Sequence, residues 1–266
     1  MTHHLPNSSV LISEKDVVKP NNFSTVPLRL VRSPILWVML FAAGWQVFFY
    51  SNCESPLHDL YDTPTYLIAS ENPRLLLGDV DLIRTPGYPC FIAAIRHFSG
   101  KAHIQYVTET EIVLDHPTKR LLHWVVFVQQ IISWISVYFF FQTAKSLFKS
   151  TFVAAAASLY YACHPAILGY NVWLMTESLA VSGTVLTVWL FISYLHRPGY
   201  GKAVMMGIIL FLLIMLRPFF IFFLPVFLLF WTARLIIVRE HRQQEMTGLC
   251  CALAALMLVL GYTLHG

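Results

Sequence analysis

Charged residues are scarce in this chain of 266 residues, at 12% of the sequence, against roughly 25% in soluble domains. Hydrophobic residues make up 57%, and the mean hydropathy is +0.62. So few charges cannot cover a water-soluble surface, which indicates an integral membrane protein. The net charge of +4 is small and gives no sign of a face that binds nucleic acid.

Several familiar enzyme motifs are also missing. The sequence has no Cys-x-x-Cys zinc pair, no glycine-rich phosphate loop and no Gly-x-Ser-x-Gly nucleophile motif. It has no internal repeat either, which argues against a transporter built from two related halves. Cys53 and Cys90 would pair only if their side of the membrane is oxidising, and free, buried thiols are the favoured interpretation.

Long apolar segments dominate what is present. A helix needs about 20 apolar residues to cross the hydrocarbon core. The candidate spans are Pro34–Tyr50, Leu121–Phe141, Phe152–Tyr170, Leu179–Leu195, Ala203–Leu216, Phe219–Val238 and Gly248–Tyr262. They predict an all-α fold, a polytopic transmembrane helical bundle of about seven spans. Arg217-Pro218 separates the short fifth span from the sixth, so we expect a hairpin that turns at a membrane face.

The distribution of lysine and arginine predicts the orientation. With a cytoplasmic N-terminus, eleven of these residues lie inside and seven outside, six of them in one long loop. We therefore predict a cytoplasmic tail (1–33), a transmembrane domain (34–266), and an outer loop (51–120) facing the periplasm, lumen or exterior. In this loop the segment Pro89–Gly100 is too short to span and is expected to lie at the interface as a juxtamembrane helix.

The outer loop holds nine of the fourteen acidic residues. Asp62 precedes a segment that can start a helix, and Tyr66 would share its face if that helix extended back to Asp62. Asp62 is either a helix cap or a carboxylate that acts on a substrate at the membrane surface. His58, Asp59 and Asp62 have a spacing that suits a divalent metal, although such groups are common in polar loops, so the cofactor stays open.

A second candidate is the segment Arg84-Thr85-Pro86-Gly87-Tyr88-Pro89. Its two prolines and its glycine predict a rigid turn that holds Arg84 and Tyr88 at headgroup depth. Arginine binds phosphate in a fork, and both side chains also anchor proteins in the membrane interface. Binding of a lipid phosphate and simple anchoring are therefore both open.

Two further charged residues lie where helices end. Glu177 stands at the outer end of the fourth span, where it is either a functional carboxylate or a group that favours the helix N-terminus. Arg217 is the lone cation of a short outer turn, with apolar neighbours on both sides. It needs an anion, either a loop carboxylate or a lipid phosphate, unless it is an ordinary headgroup anchor. Gln129 and Gln130, within the second span, are expected to make interhelical hydrogen bonds.

Four local patterns, taken in order, resemble the polytopic glycosyltransferases of the GT-C class, which include protein mannosyltransferases and bacterial aminoarabinose transferases. They are Asp62 with Tyr66; the Arg84–Pro89 turn before a helix ending Phe98-Ser99-Gly100; Ala144–Lys149 followed by His164-Pro165 and Met175–Leu179; and Gly207–Leu210 running to Leu216-Arg217-Pro218. The resemblance covers about residues 34 to 240 and corresponds to the N-terminal half of such enzymes.

The resemblance implies transfer of a sugar from a polyprenyl-phosphate donor to a glycan, lipid or protein acceptor at the outer membrane face, with inversion. Asp62 would be the catalytic base, and Arg84 and Arg217 would contact the phosphate. Tyr66, Tyr88 and Glu177 complete the candidate substrate-binding set, and no nucleic-acid partner is expected.

Two departures from the GT-C pattern leave an alternative open. Members of the class continue well beyond 266 residues, with more spans. The insertion at Lys101–Pro117 is also longer than expected. The chain is therefore a fragment, a minimal relative, or a degenerate and non-catalytic membrane subunit that supports a glycan-assembly complex.

Overall fold

The computed structural model describes residues 33–53, 63–71, 85–99, 105–106, 112–113, 116–238 and 242–265. Its helices are α1 (Pro34–Asn52), α2 (Thr63–Glu71), α3 (Gly87–Ser99), α4 (His116–Phe148), α5 (Thr151–Cys163), α6 (Pro165–Val172), α7 (Thr176–His196), α8 (Tyr200–Leu216), α9 (Phe223–Ile237) and α10 (Arg242–His265). A short 3-10 helix, Pro218–Phe222, precedes α9. Two strands, β1 (Gln105–Tyr106) and β2 (Ile112–Val113), pair antiparallel within the predicted Lys101–Pro117 insertion.

Most of these helices are long and apolar. Five of them are suited to crossing a membrane: α1, α4, α7, α10 and the continuous segment formed by the 3-10 helix and α9. The bent pair α5 and α6 makes a sixth if it is counted as one span, and α8 is a shorter apolar helix. The chain is therefore an integral membrane protein with several spans, as its composition predicted.

Two predicted spans differ in shape from simple crossings. Helix α4 has 33 residues and is therefore roughly 50 Å long at 1.5 Å per residue, well beyond the predicted Leu121–Phe141. The predicted span Phe152–Tyr170 is broken, because α5 ends at Cys163 and α6 begins at Pro165 with a bend of 48°. Pro165 cannot donate the hydrogen bond that would continue α5, so the bend falls at the His164-Pro165 step.

Helices α7 and α8 run antiparallel and define two ends of the bundle. Glu177 lies in the first turn of α7 and Arg217 follows α8, so both lie at what we call the Arg217 end. His196 ends α7 and Lys202 lies in the first turn of α8, at what we call the Lys202 end. The 17 residues of α8 separate the two ends by about 25 Å at the rise of an α-helix.

Four apolar clusters hold the described helices together, and two of them bear on the ends of the bundle. The larger joins α7, α8, α9 and α10 and includes the fully buried Tyr194, Leu210 and Trp231. The other joins α2 and α3 to α4 and includes the fully buried Leu67 and Tyr88. The short helices of the predicted outer loop are therefore packed on the bundle at the Arg217 end rather than separate from it.

A buried ion pair fixes the C-terminal helix. Glu245 of α10 is completely buried, and its Oε1 accepts hydrogen bonds from Nε and Nη2 of Arg234 at 2.9 and 2.7 Å. The guanidinium of Arg234 also lies over the rings of Tyr194 and Phe230, 5.8 and 5.9 Å from their centroids. This arrangement links α9 and α10 to the end of α7.

Helix α3 approaches α8 without any intervening side chain. A Cβ atom on Gly87 would lie 2.5 Å from the carbonyl oxygen of Met215, so only glycine fits there. The hydroxyl of Thr85 donates to the carbonyl oxygen of Leu216 at 2.8 Å. The predicted rigid turn is therefore shorter than expected, because Gly87 to Pro89 already form the first turn of α3, where proline is tolerated.

The thirteen residues of α3 correspond to roughly 20 Å of helix, which is too short to cross a bilayer. This agrees with the expectation for Pro89–Gly100. The five cysteines are free, as the sequence favoured, but Cys90 and Cys250 are exposed and the others half-buried, so the expectation of buried thiols was wrong. The predicted tail, apart from Ser33, lies outside the described residues.

Candidate functional site

An ion pair marks the Arg217 end of the bundle. Nη2 of Arg217 donates to Oε1 of Glu177, and Nε of the same guanidinium donates to the hydroxyl of Thr176 at 3.0 Å. The Thr176 hydroxyl in turn donates to Oε2 of Glu177 at 3.1 Å. The side chain of Arg217 is 45% exposed and that of Glu177 is 22% exposed, so the pair is accessible to a ligand.

The sequence around both residues explains their positions. Helix α7 begins at Thr176, so Glu177 lies in its first turn, where the helix dipole favours a carboxylate. Helix α8 ends at Leu216, because Pro218 has no amide hydrogen to continue the α-helical ladder. Arg217 is extended between α8 and the 3-10 helix, and its side chain is thereby directed to the start of α7.

A buried glutamine holds the turn that precedes Glu177. The Gln129 amide nitrogen of α4 donates to the carbonyl oxygens of Trp173 and Met175, at 3.4 and 3.3 Å. Its Oε1 accepts a hydrogen bond from the Tyr88 hydroxyl at 3.1 Å. Gln129 therefore makes the interhelical bonds expected for it, and it connects α3 and α4 to the start of α7.

Two tyrosines adjoin this arrangement. The rings of Tyr66 and Tyr88 meet edge to face, with centroids 4.9 Å apart. Burial first, and then the neighbouring Tyr66 and Glu177, raise the pKa of the Tyr88 phenol well above its usual value, although the hydrogen bond to Gln129 opposes this. Tyr88 therefore stays neutral and donates its hydroxyl proton to Gln129.

A second polar network stiffens the same region. The hydroxyl of Ser178 donates to Oδ1 of Asn171 at 2.7 Å, and Nδ2 of Asn171 donates to the hydroxyl of Ser133 at 2.7 Å. All three residues are buried. These bonds join the first turn of α7 to α6 and α4, so Glu177 stands on a rigid support rather than on a free loop.

An apolar cavity of about 350 Å³ lies close to the ion pair, between residues of α3, α4, α7 and α8. Leu179, two positions after Glu177, lines this cavity. Leu216, which directly precedes Arg217, lines it as well. Along α7 the lining runs from Leu179 to Leu186, which is roughly 10 Å of helix. Its polar side chains are two serines, Ser136 and Ser182, so the wall suits a hydrocarbon ligand.

The cavity opens sideways between two helices. Ile135 of α4 and Leu212 of α8 both line it and are 43% and 52% exposed on the outer surface of the bundle. That surface faces lipid in a membrane protein of this composition. A chain of methylene groups can therefore enter from the bilayer and end near the charged side chains at the Arg217 end.

Among the predicted site residues, the structure brings together Tyr66, Tyr88, Glu177 and Arg217. The others, Asp62, Arg84, His58 and Asp59, lie outside the described residues. Helix α2 begins at Thr63, directly after Asp62 in the sequence. In the part of the chain that the structure describes, no three His, Cys, Asp or Glu side chains are grouped so as to hold a metal ion.

Two contributors to the site were missed by sequence reasoning. Thr176 joins the ion pair, and Gly87 sets the distance between α3 and α8. Both were present in the quoted motifs, next to Glu177 and Tyr88, but nothing in the sequence indicated which partners they would meet. No family model matches this chain, and no curated protein matches it, so the function has to be argued from these residues and their geometry.

Proposed function

We propose that this protein is a glycosyltransferase that takes a sugar from a polyprenyl-phosphate donor and gives it to a glycan, lipid or protein acceptor. The observation that supports it is one juxtaposition. The partly exposed ion pair of Arg217 and Glu177 lies beside an apolar cavity whose lining includes Leu216 and Leu179, their near neighbours in the sequence. Ile135 and Leu212 also line this cavity and are exposed, as a lateral approach from the bilayer would require. A lipid-linked sugar has the matching form, since it carries a long hydrocarbon chain, a phosphate and a polar sugar.

Arg217 is the proposed phosphate-binding group. A guanidinium carries five N–H donors, and the bonds to Thr176 and Glu177 use only part of this capacity. Its exposed face is free to meet a phosphate oxygen while Glu177 fixes its direction. Arg84, which directly precedes Thr85 in the sequence, is the second proposed phosphate contact. Cations at this position would stabilise the phosphate as the leaving group.

The proposed reaction is a single displacement. The oxygen of an acceptor hydroxyl forms a bond to the anomeric carbon, while the bond from that carbon to the phosphate oxygen breaks and its electrons leave with the lipid phosphate. Asp62 accepts the hydroxyl proton as general base. The phosphate is already a good leaving group, so no acid is required, and the configuration at the anomeric carbon inverts.

In this proposal the carboxylate of Glu177 accepts hydrogen bonds from hydroxyl groups of the sugar or acceptor. Tyr88 is fully buried, so it and the ring of Tyr66 act from behind the site, where the Tyr88 hydroxyl holds Gln129. The finer topology belongs to the same proposal: about seven spans, a cytoplasmic N-terminus, and a catalytic face on the periplasmic, lumenal or exterior side. The distribution of lysine and arginine supports it.

Two variants test the proposal in reconstituted membranes. Purified protein is supplied with a panel of radiolabelled polyprenyl-phosphate hexoses and pentoses, and transfer to endogenous acceptor extracts is measured. Asp62→Asn should abolish transfer but retain binding of polyprenyl phosphate, because an amide cannot take the proton. Arg217→Lys should weaken binding of polyprenyl phosphate relative to polyprenol, because a lysine cannot form the bidentate contact.

Arg120→Lys is the matched control, since Arg120 is an exposed arginine at the same end of the bundle. It should behave as the unaltered protein. Transfer that survives Asp62→Asn would overturn the base assignment. Transfer and binding that are absent in all proteins, together with co-purification of partner subunits, would instead favour the non-catalytic subunit of a glycan-assembly complex.

A further inference from the structure

A second cavity, of about 220 Å³, lies at the Lys202 end of the bundle. It is bounded by the last turns of α4 and α7 and the first turn of α8. Three basic side chains line it, His196, Arg197 and Lys202, and no carboxylate does so among the described residues. It is thus about 25 Å of helix away from the Glu177–Arg217 pair and forms no part of the proposed glycosyltransferase site.

The basic side chains are held in place at this cavity. Nζ of Lys202 donates to the carbonyl oxygens of Ser193 and Arg197, at 2.8 and 2.9 Å, which fixes the lysine against the end of α7. The Nδ1 atom of His196 bonds to the carbonyl oxygen of Ile192 at 2.8 Å. One lysine proton and the second nitrogen of the imidazole remain for a ligand, besides the exposed guanidinium of Arg197.

The wall formed by α4 adds neutral polar groups. Gln142, Thr143 and Ser146 line the cavity on consecutive turns of that helix. The Thr143 hydroxyl oxygen is buried and has no hydrogen-bond partner within the described part of the chain. A buried polar atom without a partner is uncommon and calls for a ligand or water. The volume is several times the roughly 30 Å³ that one water occupies in the liquid, so it has room for a tetrahedral anion.

From these observations we infer that the cavity at the Lys202 end binds a phosphate group. Arg197 and Lys202 supply the positive charge, and the hydroxyl and amide groups of α4 supply further hydrogen bonds. Basic pockets between transmembrane helices bind the head groups of anionic lipids. The phosphate therefore comes either from such a lipid or from a soluble phosphate compound, and the two sources share the same contacts.

The test uses the full-length protein in nanodiscs and follows its thermal unfolding. One series contains phosphatidylcholine alone, and a second contains phosphatidylcholine with increasing phosphatidylglycerol. A third adds inorganic phosphate, with sodium chloride at equal ionic strength, to the phosphatidylcholine nanodiscs. Stabilisation by phosphatidylglycerol identifies a lipid head group as the source, and stabilisation by inorganic phosphate alone identifies a soluble one.

Two variants on different helices examine the site itself. Arg197→Gln removes a cation from α7 and should weaken the apparent affinity about tenfold, the effect of losing one charged hydrogen bond. Ser146→Asp retains every cation but places a carboxylate in the wall, and it should weaken binding at least as much. The second variant keeps the test decisive if the first one folds poorly.

Lys145→Gln is the matched control, because Lys145 is exposed near the same end of α4 but does not line the cavity. It should retain the response of the unaltered protein. An equal response in Lys145→Gln, Arg197→Gln and Ser146→Asp would mean that the effect is general membrane charge, and it would overturn the assignment. Absence of any stabilisation by either phosphate source would overturn it as well.

Discussion

Glu177 and Arg217 are 40 positions apart in the sequence and form an ion pair where α7 begins and α8 ends. Both side chains are partly exposed, so water screens their attraction and the pair contributes little to folding. A second ion pair, between Arg234 and Glu245, differs because Glu245 has no exposed surface. Neutralising the carboxylate should therefore change the free energy of unfolding by different amounts in the two pairs.

Glu177→Gln is expected to change the free energy of unfolding by no more than about 1 kcal/mol, the upper range for a partly exposed pair. Binding of a polyprenyl-phosphate sugar should nevertheless fall. Arg217 loses the carboxylate that directs it, and the hydroxyl groups of the sugar lose one hydrogen-bond-accepting oxygen. Unfolding in detergent and ligand binding should be measured on the same preparations.

Glu71→Gln provides the control for that variant. It neutralises the partner of Arg96, in an ion pair of 3.1 Å with side chains 16% and 30% exposed, on α2 and α3. The control should retain ligand binding even though it should lose more stability than Glu177→Gln, because Arg96 is less exposed than Arg217. Equal losses of binding in Glu71→Gln and Glu177→Gln would argue against a special role for the pair with Arg217.

Glu245→Gln is expected to destabilise the protein by about 3 kcal/mol or more, because it leaves Arg234 in a largely buried site without its counter-charge. The exposed neighbour Met246 serves as control, and Met246→Ala should alter the unfolding free energy by less than about 0.5 kcal/mol. The measurement is the denaturation midpoint in a single detergent. A Glu245→Gln protein as stable as the control would show that the pair does not hold α10 in place.

Composition was sufficient to predict the helical, multi-pass character of this chain, because lipid requires every backbone polar group to be satisfied within a helix. The start of α1 and the end of α8 also followed from their apolar runs, with a proline at the first and another just after the second. The break at His164 did not, since Pro165 within an apolar run is compatible with either a kink or a helix end.

The site was predictable only as a set of separate residues. Charged residues next to apolar segments are rare, because a charge near the bilayer is costly. Glu177 and Arg217 can therefore be picked out from the sequence as candidates. Their pairing depends on how α7 packs beside α8, which no local pattern contains. The same holds for Tyr88, whose hydroxyl meets Gln129 on a helix 41 positions away.

Tyr88→Phe should separate support of the site from folding. The variant keeps the ring but leaves Oε1 of Gln129 buried without its donor, which costs about 1 to 3 kcal/mol. Gln129 also holds the carbonyl oxygens of Trp173 and Met175, so the start of α7 should shift and donor binding should weaken. Tyr66→Phe keeps the same ring packing and leaves the Gln129 bonds intact. Identical binding by both variants would argue against the Gln129 connection.

The proposed orientation predicts that Cys90 is accessible from outside the cell. In a protein whose other four cysteines are replaced by serine, an impermeant maleimide applied to the exterior of intact cells should label Cys90, which is exposed on α3. A Gly199→Cys version without Cys90 should be labelled only after the membrane is opened. Position 199 lies at the Lys202 end and has open space for a side chain. The reverse pattern would invert the proposed topology.

The rate at which Cys90 is labelled should depend on pH. Although Cys90 is exposed, neighbouring atoms of the fold partly desolvate its thiol, and this raises the pKa of Cys90 above its usual value. The thiolate is the form that reacts. The thiolate fraction at neutral pH is therefore smaller than for an ordinary thiol, and the labelling rate should still be rising at pH values where a free cysteine levels off. Rates measured from pH 7 to 10 against glutathione test this. A plateau for Cys90 at lower pH than for glutathione would contradict it.

Gly87→Ala tests whether the close approach of α3 to α8 positions the site. The added Cβ would lie 2.5 Å from the carbonyl oxygen of Met215, and backbone cannot move aside as a flexible side chain can. We expect α3 to be displaced, the bond from Thr85 to Leu216 to be lost, and donor binding and stability to fall together. Gly44→Ala, in open space on α1, should be neutral or stabilise by up to about 1 kcal/mol, because alanine favours a helix. If Gly87→Ala behaves like Gly44→Ala, the contact between α3 and α8 does not form, and Tyr88 is then not held beside Glu177.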